Sequence, residues 1–397
     1  MTDYLPYGRH LIEPDDVAAV IEVLTGAHLA QGPKVAAFEA ALAARVGAGH
    51  AVATSSGTAA LHLALKALDV GPGDVCIVPA ITFLSTATAA RMCGADVVFA
   101  DVDPVSGLMT AQTLRAAAAR AAGPIKAALP VHLGGRMCDT AALGKVAVEF
   151  GFSLVEDACH ALGSQRGRER AGDCRHSAAA CFSFHPVKTI AAGEGGMVAT
   201  NDAVLAERIR RLRNHGVTHD PALMVDPELS LETDGARHPW SYEQLELGFN
   251  YRMTDLEAAL GLSQLHKLDR FIDRRAGLAA LYDMLLEPLS GRLQPVQAGR
   301  GESPSLHLYA VHIDYEGLDF GRDDLMRDLH ARGIGTQVHY IPIYRQPYFK
   351  GLYGPMRLPG AEAYYAGVLA LPLFPAMTDR DVERVAGALT NMLLTAD

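Results

Sequence analysis

HAVATSSGTAALHLALKALDVGPGDVCIVPAITFLSTATAARMCGADVVFAD, residues 50–101, is the stretch on which the fold turns. His50 to Thr54 reads as a strand, followed by a helix with Leu61, Leu65 and Leu68 on one face. Val75-Cys76-Ile77-Val78 is a second strand, Leu84 to Cys93 a second helix, and Asp96 to Asp101 a third strand. The same alternation continues through strand Ile125 to Val131, helix Thr140 to Phe150 and strand Phe152 to Val155. Strands Ala178 to Phe184 and Gly196 to Thr200 follow, and the basic helix Asp202 to Arg213 closes the series. Strands and helices alternating at this spacing predict an α/β domain with a mainly parallel sheet covered on both faces.

Beyond it the character changes. Residues 216–249 carry Pro221, Pro227, Pro239, Gly235 and the single tryptophan, Trp240, among many polar groups. A loop that long inside a compact domain is expected to be functional or to meet a partner. Leu256 to Leu281 reads as one long amphipathic helix bridging to a second unit. After the Pro/Gly-rich connection Glu287 to Pro304 come strand Leu306 to Ile313, helix Asp323 to Arg332, strand Thr336 to Tyr340 and a helix after Thr378. The chain thus divides into a large domain with its N-terminal segment, 1–255, and a bridging helix with a smaller C-terminal α/β domain, 256–397. A length of 397 residues suits two such units.

Composition narrows the function. Hydrophobic residues make up 49% and charged residues 20%, an ordinary globular balance. Thirty-five basic against 45 acidic residues leave a formal charge of −10, which argues against a nucleic-acid partner held by its phosphates. No apolar stretch reaches spanning length, and Met1 to Asp16 is too charged for a signal peptide, so neither membrane insertion nor export is expected. The six cysteines lie in the first half without a C-x-x-C pair, which suits a reducing cytoplasm rather than disulfides or zinc. His215 and His219 stand four apart in a polar Pro/Gly stretch rather than on a periodic helix, so no metal site is expected.

Three segments at carboxyl ends of strands, where open sheets bind ligands, carry unusual residues. Thr54-Ser55-Ser56-Gly57-Thr58 offers hydroxyls, a small residue and free N–H groups at a helix start; it reads as a phosphate cup or as a Ser/Thr cap without ligand. Glu156-Asp157-Ala158-Cys159-His160 places a carboxylate past a strand, either holding a proton on a ligand's ring nitrogen or capping a helix. Ser183-Phe184-His185-Pro186-Val187-Lys188, with Gly193-Glu194-Gly195-Gly196 after it, puts a lysine between a buried strand and a glycine turn. An amine there loses its proton readily and attacks carbonyls, whereas the plainer reading is a surface lysine beside a turn. No G-x-G extends to a dinucleotide fingerprint, and neither G-K-[ST] nor G-x-S-x-G occurs. Together, a phosphate cup, a strand-end carboxylate and a lysine five residues after a serine meet the needs of pyridoxal phosphate in order along the chain.

With these residues the chain resembles the DegT/DnrJ/EryC1/StrS nucleotide-sugar aminotransferases, fold-type-I enzymes that use pyridoxal 5'-phosphate. The likeness runs from Tyr7 to the C-terminal helix. It is carried by Ser56-Gly57-Thr58-Ala59-Ala60-Leu61, Glu156-Asp157-Ala158, Ser183 to Lys188, Gly193 to Gly196 and Gly248-Phe249-Asn250-Tyr251-Arg252-Met253. Within the family the chain most resembles the C4-aminotransferases of pseudaminic acid biosynthesis, through Ala161 to Ser164, Ala259 to Leu265 and Gln337 to Tyr344.

The resemblance implies an aspartate aminotransferase-like fold and a role for each matching residue. Lys188 is the Schiff-base lysine, Asp157 pairs with the pyridine nitrogen, and His160 lies near the ring. Ser56, Gly57, Thr58 and Ser183 hold the phosphate. Phe83 stacks on the ring, its plainer reading being a core aromatic. Asn250, otherwise a turn residue, reaches the phosphate of a neighbouring subunit, which implies a homodimer with composite sites. Tyr7, the segment Ala27-His28-Leu29-Ala30 and the run His339-Tyr340-Ile341-Pro342 line the pocket for sugar and nucleotide. Ala30 departs from the family pattern, which has Thr or Ser there. The implied reaction moves an amino group from L-glutamate to the C4 ketone of a UDP-linked 4-keto-6-deoxy-N-acetylhexosamine. Amination at C3 or C4 of another dTDP-, GDP- or UDP-linked keto sugar is the alternative. A dehydratase of this fold would carry histidine in place of Lys188, and a binding module without turnover would not need the full set.

Overall fold

The computed structural model describes residues 4–296, 299 and 301–394. Residues 1–3 of the charged N-terminal stretch, and 297, 298 and 300 of the Glu287 to Pro304 connection, lie outside them.

After α1 (Pro14–Leu24) and α2 (Pro33–Val46), the chain alternates β1 (His50–Thr54), α3 (Gly57–Ala67), β2 (Val75–Pro79), α4 (Leu84–Met92), β3 (Asp96–Ala100), α5 (Ala111–Ala118), β4 (Ile125–Ala128), α6 (Thr140–Phe150) and β5 (Ser153–Asp157). A short hairpin, β6 (Gln165–Arg166) and β7 (Glu169–Arg170), precedes β8 (Ala179–Ser183), β9 (Gly196–Thr200) and α7 (Ala203–Arg213). Seven strands form one sheet in the order β1-β9-β8-β5-β4-β2-β3. Only β9 runs against its neighbours β1 and β8; the other pairs are parallel. The alternation of residues 50–101 therefore yields the expected sheet, and β2 and β9 are buried at every position, as strands covered on both faces are. The two-residue period sorts side chains between the faces. Val52 packs with Leu61 and Leu63 of α3, while Ala51 and Ala53 pack with Phe38 and Leu42 of α2.

Residues 216–249 form an irregular excursion containing β10 (Val217–Thr218), α8 (Pro227–Ser230) and β11 (Glu243–Gln244). Glu243 ties it together by accepting the N–H groups of Val225 at 2.6 Å and Asp226 at 3.0 Å and the hydroxyl of Ser230. Trp240 projects from it, 73% exposed.

The single helix expected over Leu256 to Leu281 is two, α9 (Asp255–Leu265) and α10 (Leu268–Leu286). Lys267 stands at the break, with its amine 2.6 Å from Asp15, 2.8 Å from Asp16 and 3.2 Å from Glu13. The turn lets α9 pack on α1 and α2 while α10 leaves toward the C-terminal unit. There β12 (Leu293–Pro295), β14 (Tyr309–Ile313) and β15 (Val368–Leu371) form an antiparallel sheet, and β13 (Glu302–Ser303) pairs with β6. α11 (Arg322–Ala331), α12 (Pro347–Tyr353), α13 (Pro359–Gly367) and α14 (Asp379–Leu394) follow, Phe349 of α12 and Tyr364 of α13 packing into the core of the large sheet, while the antiparallel sheet gathers a cluster of its own. Its core joins Leu278, Tyr282, Val311, Leu325 and Leu389 with Leu5 from the other end of the chain, whose N–H and C=O bond Gly333 and Gly335 at 2.9 and 2.8 Å. The strand expected over Thr336 to Tyr340 is a single bridge from Gln337 to Ala370, because the segment leaves the sheet edge to pass over a cavity. Among the described residues no helix is long and apolar enough to cross a membrane.

Candidate active site

The carboxyl ends of β1, β5 and β8 open on one cavity of about 540 Å³, roofed by residues 337–341. The neighbourhood of the sheet ends is set by the parallel register, which brings Asp157 opposite Cys181 of β8.

At the end of β1, Ser56 caps α3 by accepting the Ala59 N–H at 3.1 Å, while its carbonyl takes the Thr54 hydroxyl at 3.0 Å and the Ala60 N–H at 3.0 Å. The N–H groups of Gly57 and Thr58 belong to the first turn, have no intrahelical acceptor and sit at the positive end of the helix. Both readings of this segment thus coexist: the cap is made, and two donors remain for an anion. A Cβ at Gly57 would stand 2.7 Å from Ser183 Cβ, and one at Gly196 would stand 2.3 Å from the Ser56 carbonyl oxygen. The cup exists only because neither residue has a side chain.

Asp157 ends β5. Its Oδ2 accepts the Thr86 hydroxyl at 2.7 Å and its Oδ1 the Cys159 N–H at 3.2 Å, which fix the plane of the carboxylate. Behind it Glu156 points to the opposite face of the sheet, 2.9 Å from His132 Nε2 and 2.5 Å from the Ser177 hydroxyl. Burial opposes the charge on Glu156, but these hydrogen bonds hold its carboxyl below the usual range.

Lys188 follows β8 in a turn closed by its own N–H on the His185 carbonyl at 2.8 Å. It lines the cavity, and burial holds its amine below the usual lysine value against the opposing pull of Cys159 and Asp157. His160, His307 and His339 share the cavity. Burial keeps all three from charging, pushing His339 down to about 3, and the positive charge of Lys188 adds to it. Burial also raises the Tyr7 and Tyr340 phenols, so both stay protonated.

The structure brings together Tyr7, Ser56, Gly57, Thr58, Phe83, Asp157, His160, Ser183, Lys188, His339, Tyr340 and Ile341. Phe83 is 54% exposed at the cavity mouth, which removes the core-aromatic reading. It does not bring Ala27, His28, Leu29, Ala30, Asn250 or Pro342 to the cavity wall of the same chain. Residues 27–30 are exposed and held by their backbone, Leu29 accepting the Asp255 N–H at 2.9 Å and Ala30 bridging Thr254. Asn250 is exposed and bridges Asn214, and Pro342 is buried beneath the roof.

Sequence reasoning gave no site role to Thr82, Thr86, His307 or Gln346, and used Glu194 only as part of the glycine turn. Thr82 and Thr86, four apart around the start of α4, carry a readable signal, since that spacing places both on one face. His307 carries none, arriving at the cavity from a distant part of the chain.

A phosphate cup of free N–H groups, a hydrogen-bonded carboxylate and an amine kept short of its ordinary basicity fit pyridoxal phosphate. Comparison with known proteins agrees. The profile of the DegT/DnrJ/EryC1/StrS aminotransferase family matches residues 10–390. The spore coat polysaccharide biosynthesis protein SpsC of Bacillus subtilis (strain 168) is 38% identical over 397 residues, covering 99% of this chain and 98% of that protein. Helicobacter pylori PseC, an aminotransferase involved in the biosynthesis of pseudoaminic acid, superposes with a TM-score of 0.88 at 27% identity, over 99% of this chain and all of that one. The pyridoxal-phosphate form of the putative sugar aminotransferase Spr1654 from Streptococcus pneumoniae gives 0.87 at 26% identity, over 99% and 100%. The chain belongs to the DegT/DnrJ/EryC1/StrS aminotransferase family and is a pyridoxal-phosphate-dependent sugar aminotransferase.

Proposed function

We propose that the chain transfers the amino group of L-glutamate to the C4 ketone of UDP-2-acetamido-2,6-dideoxy-beta-L-arabino-hexos-4-ulose, making the 4-amino sugar that leads to pseudaminic acid. One observation carries the reading: Lys188, Asp157 and the Gly57–Thr58 turn open on one cavity that Tyr7, His339 and Tyr340 also line. Pyridoxal phosphate supplies, when bound, an electron-poor ring that spreads the charge left at the donor's Cα.

Each residue has its task in this reading. Lys188 binds the cofactor, and its amine takes the proton from the donor's Cα and returns it to the product side. Asp157, oriented by Thr86 and the Cys159 N–H, keeps a proton on the ring nitrogen. Ser56, Gly57, Thr58 and Ser183 would hold the phosphate, Phe83 would stack on the ring, and His160 would lie near it. Asn250 of the partner subunit completes the phosphate site in a homodimer. Tyr7, residues 27–30 and residues 339–341 accept sugar and nucleotide, with Pro342 supporting that run from beneath and the exposed residues 27–30 acting across the dimer.

Amination at C3 or C4 of a different dTDP-, GDP- or UDP-linked keto sugar is the second reading. Ala30 favours it, since it offers no hydroxyl where the pattern has one, as does the 38% relative named for spore coat polysaccharide. A single-turnover spectrum separates the two. The enzyme is converted with L-glutamate, the excess removed, and the UDP-linked L-arabino keto sugar added. Rapid return of the visible cofactor band supports the first reading. No return, after glutamate has bleached the band, discards that substrate. A band that glutamate never bleaches discards the donor.

A further inference from the structure

The roof of the cavity carries a hydrogen-bond chain with a defined direction. The Gly134 N–H donates to His160 Nδ1 at 3.3 Å, so that nitrogen bears no proton. The neutral ring must then carry its proton on Nε2, which lies 3.3 Å from the Tyr340 hydroxyl oxygen. His160 therefore donates and Tyr340 accepts. Burial and the surrounding positive charge keep the imidazole neutral, so this direction persists. The Tyr340 proton is left unspent: among the described residues no other hydrogen bond engages its hydroxyl. The rings hold the arrangement in place, His160 lying 4.3 Å from His307 and Tyr340 lying 6.0 Å from Phe83, centroid to centroid. Lys188 lines the same cavity.

We propose that Tyr340, positioned by His160, is the proton donor to the carbonyl oxygen that leaves as water when the amine condenses with a keto substrate. This deepens the proposed aminotransfer and rests on it. In the step the amine nitrogen forms a bond to the carbonyl carbon, and the carbon–oxygen bond breaks. The oxygen departs as water with the two protons that the nitrogen loses. Tyr340 passes one proton to the oxygen and recovers one from the nitrogen, ending as it began. The reverse step, in which water releases 2-oxoglutarate, uses the same group. Lys188 is thereby free to serve the carbon proton alone.

The test separates the two proton transfers in the holoenzyme. Exchange of the L-glutamate Cα proton in heavy water reports removal of the carbon proton, which needs no departing oxygen. Return of the visible band when the glutamate-treated enzyme meets 2-oxoglutarate reports the condensation. In Tyr340→Phe the rate of return relative to exchange is expected to fall on the order of a hundredfold, the scale of general acid catalysis. His160→Gln, which keeps an N–H donor, should lower that ratio less than His160→Leu. Adding His160→Leu to Tyr340→Phe should cost little further, because both act through one proton. A ratio unchanged in Tyr340→Phe overturns the proposal. Wild-type enzyme that shows no exchange overturns the donor assignment and this inference with it. Wild-type exchange and return with 2-oxoglutarate, but no reaction with the UDP-linked sugar, discards only that sugar, and the ratio in Tyr340→Phe still decides the role of Tyr340.

Discussion

Thr86 Oγ1 lies 2.7 Å from Asp157 Oδ2, and Thr82 Oγ1 lies 2.7 Å from Thr86 Oγ1. The Thr86 proton is committed to the carboxylate, so Thr82 donates to Thr86, and two hydroxyls in series aim the acid at the cavity. Thr86→Val keeps the shape and removes the donor. A hydrogen bond to a charged group contributes about 1.5–3 kcal/mol, so affinity for pyridoxal phosphate should fall about tenfold or more. Titration of the apoenzyme with the cofactor measures it, and unchanged affinity would show that Asp157 is held by other means.

Gly57→Ala tests the phosphate cup. The new Cβ meets Ser183 Cβ at 2.7 Å and Oγ at 3.1 Å, both too close, so α3 or the end of β8 must shift. Cofactor binding is expected to drop far more than thermal stability, because the clash lies at the cavity rim rather than in the core. Equal losses in both would place the role of Gly57 in folding.

Asn250 and Lys188 are expected to serve one site from two chains. Lys188→Ala and Asn250→Ala proteins, each nearly inactive alone, should regain activity when unfolded together and refolded. Random pairing makes half the dimers hybrid, each with one intact site, so roughly a quarter of wild-type activity should return. Absence of any recovery would assign Asn250 to its own chain's cavity or to none.

Asp16 lies fully buried against α9, accepting from Ser263 at 2.6 Å and Gln264 at 2.7 Å, with Lys267 at 2.8 Å. Burial opposes its charge, yet hydrogen bonds from Lys267, Ser263 and the Glu13 N–H outweigh it and lower the carboxyl below its ordinary value. A depressed folded value means the stabilisation is complete above the unfolded value of about 4 and is lost as pH falls through the folded one. Asp16→Asn should cost about 3 kcal/mol at neutral pH, the scale for breaking a buried pair. The difference in denaturation midpoint from wild type should shrink as the pH drops below 4; a difference that grows there contradicts the assignment.

Much of the fold and the heart of the site were legible in the chain itself. Residues 50–101 announced the sheet because strand and helix periods are local patterns, written in neighbouring side chains. The cup at Gly57–Thr58, Asp157 and Lys188 were legible for a related reason: each lies at or just past the end of a strand, and parallel strands deliver their carboxyl ends to one edge. Tertiary structure alone decided the rest. The expected long helix is interrupted at Lys267, whose amine meets three carboxylates of the N-terminal stretch, and Leu5 joins a core built from the far end of the chain. Thr86 against Asp157 and Tyr340 against His160 are likewise contacts between distant segments. Neither partner's local sequence constrains the other, so only the packing of distant segments over the sheet ends sets which hydroxyl faces which acceptor, and with it the direction of these two hydrogen bonds.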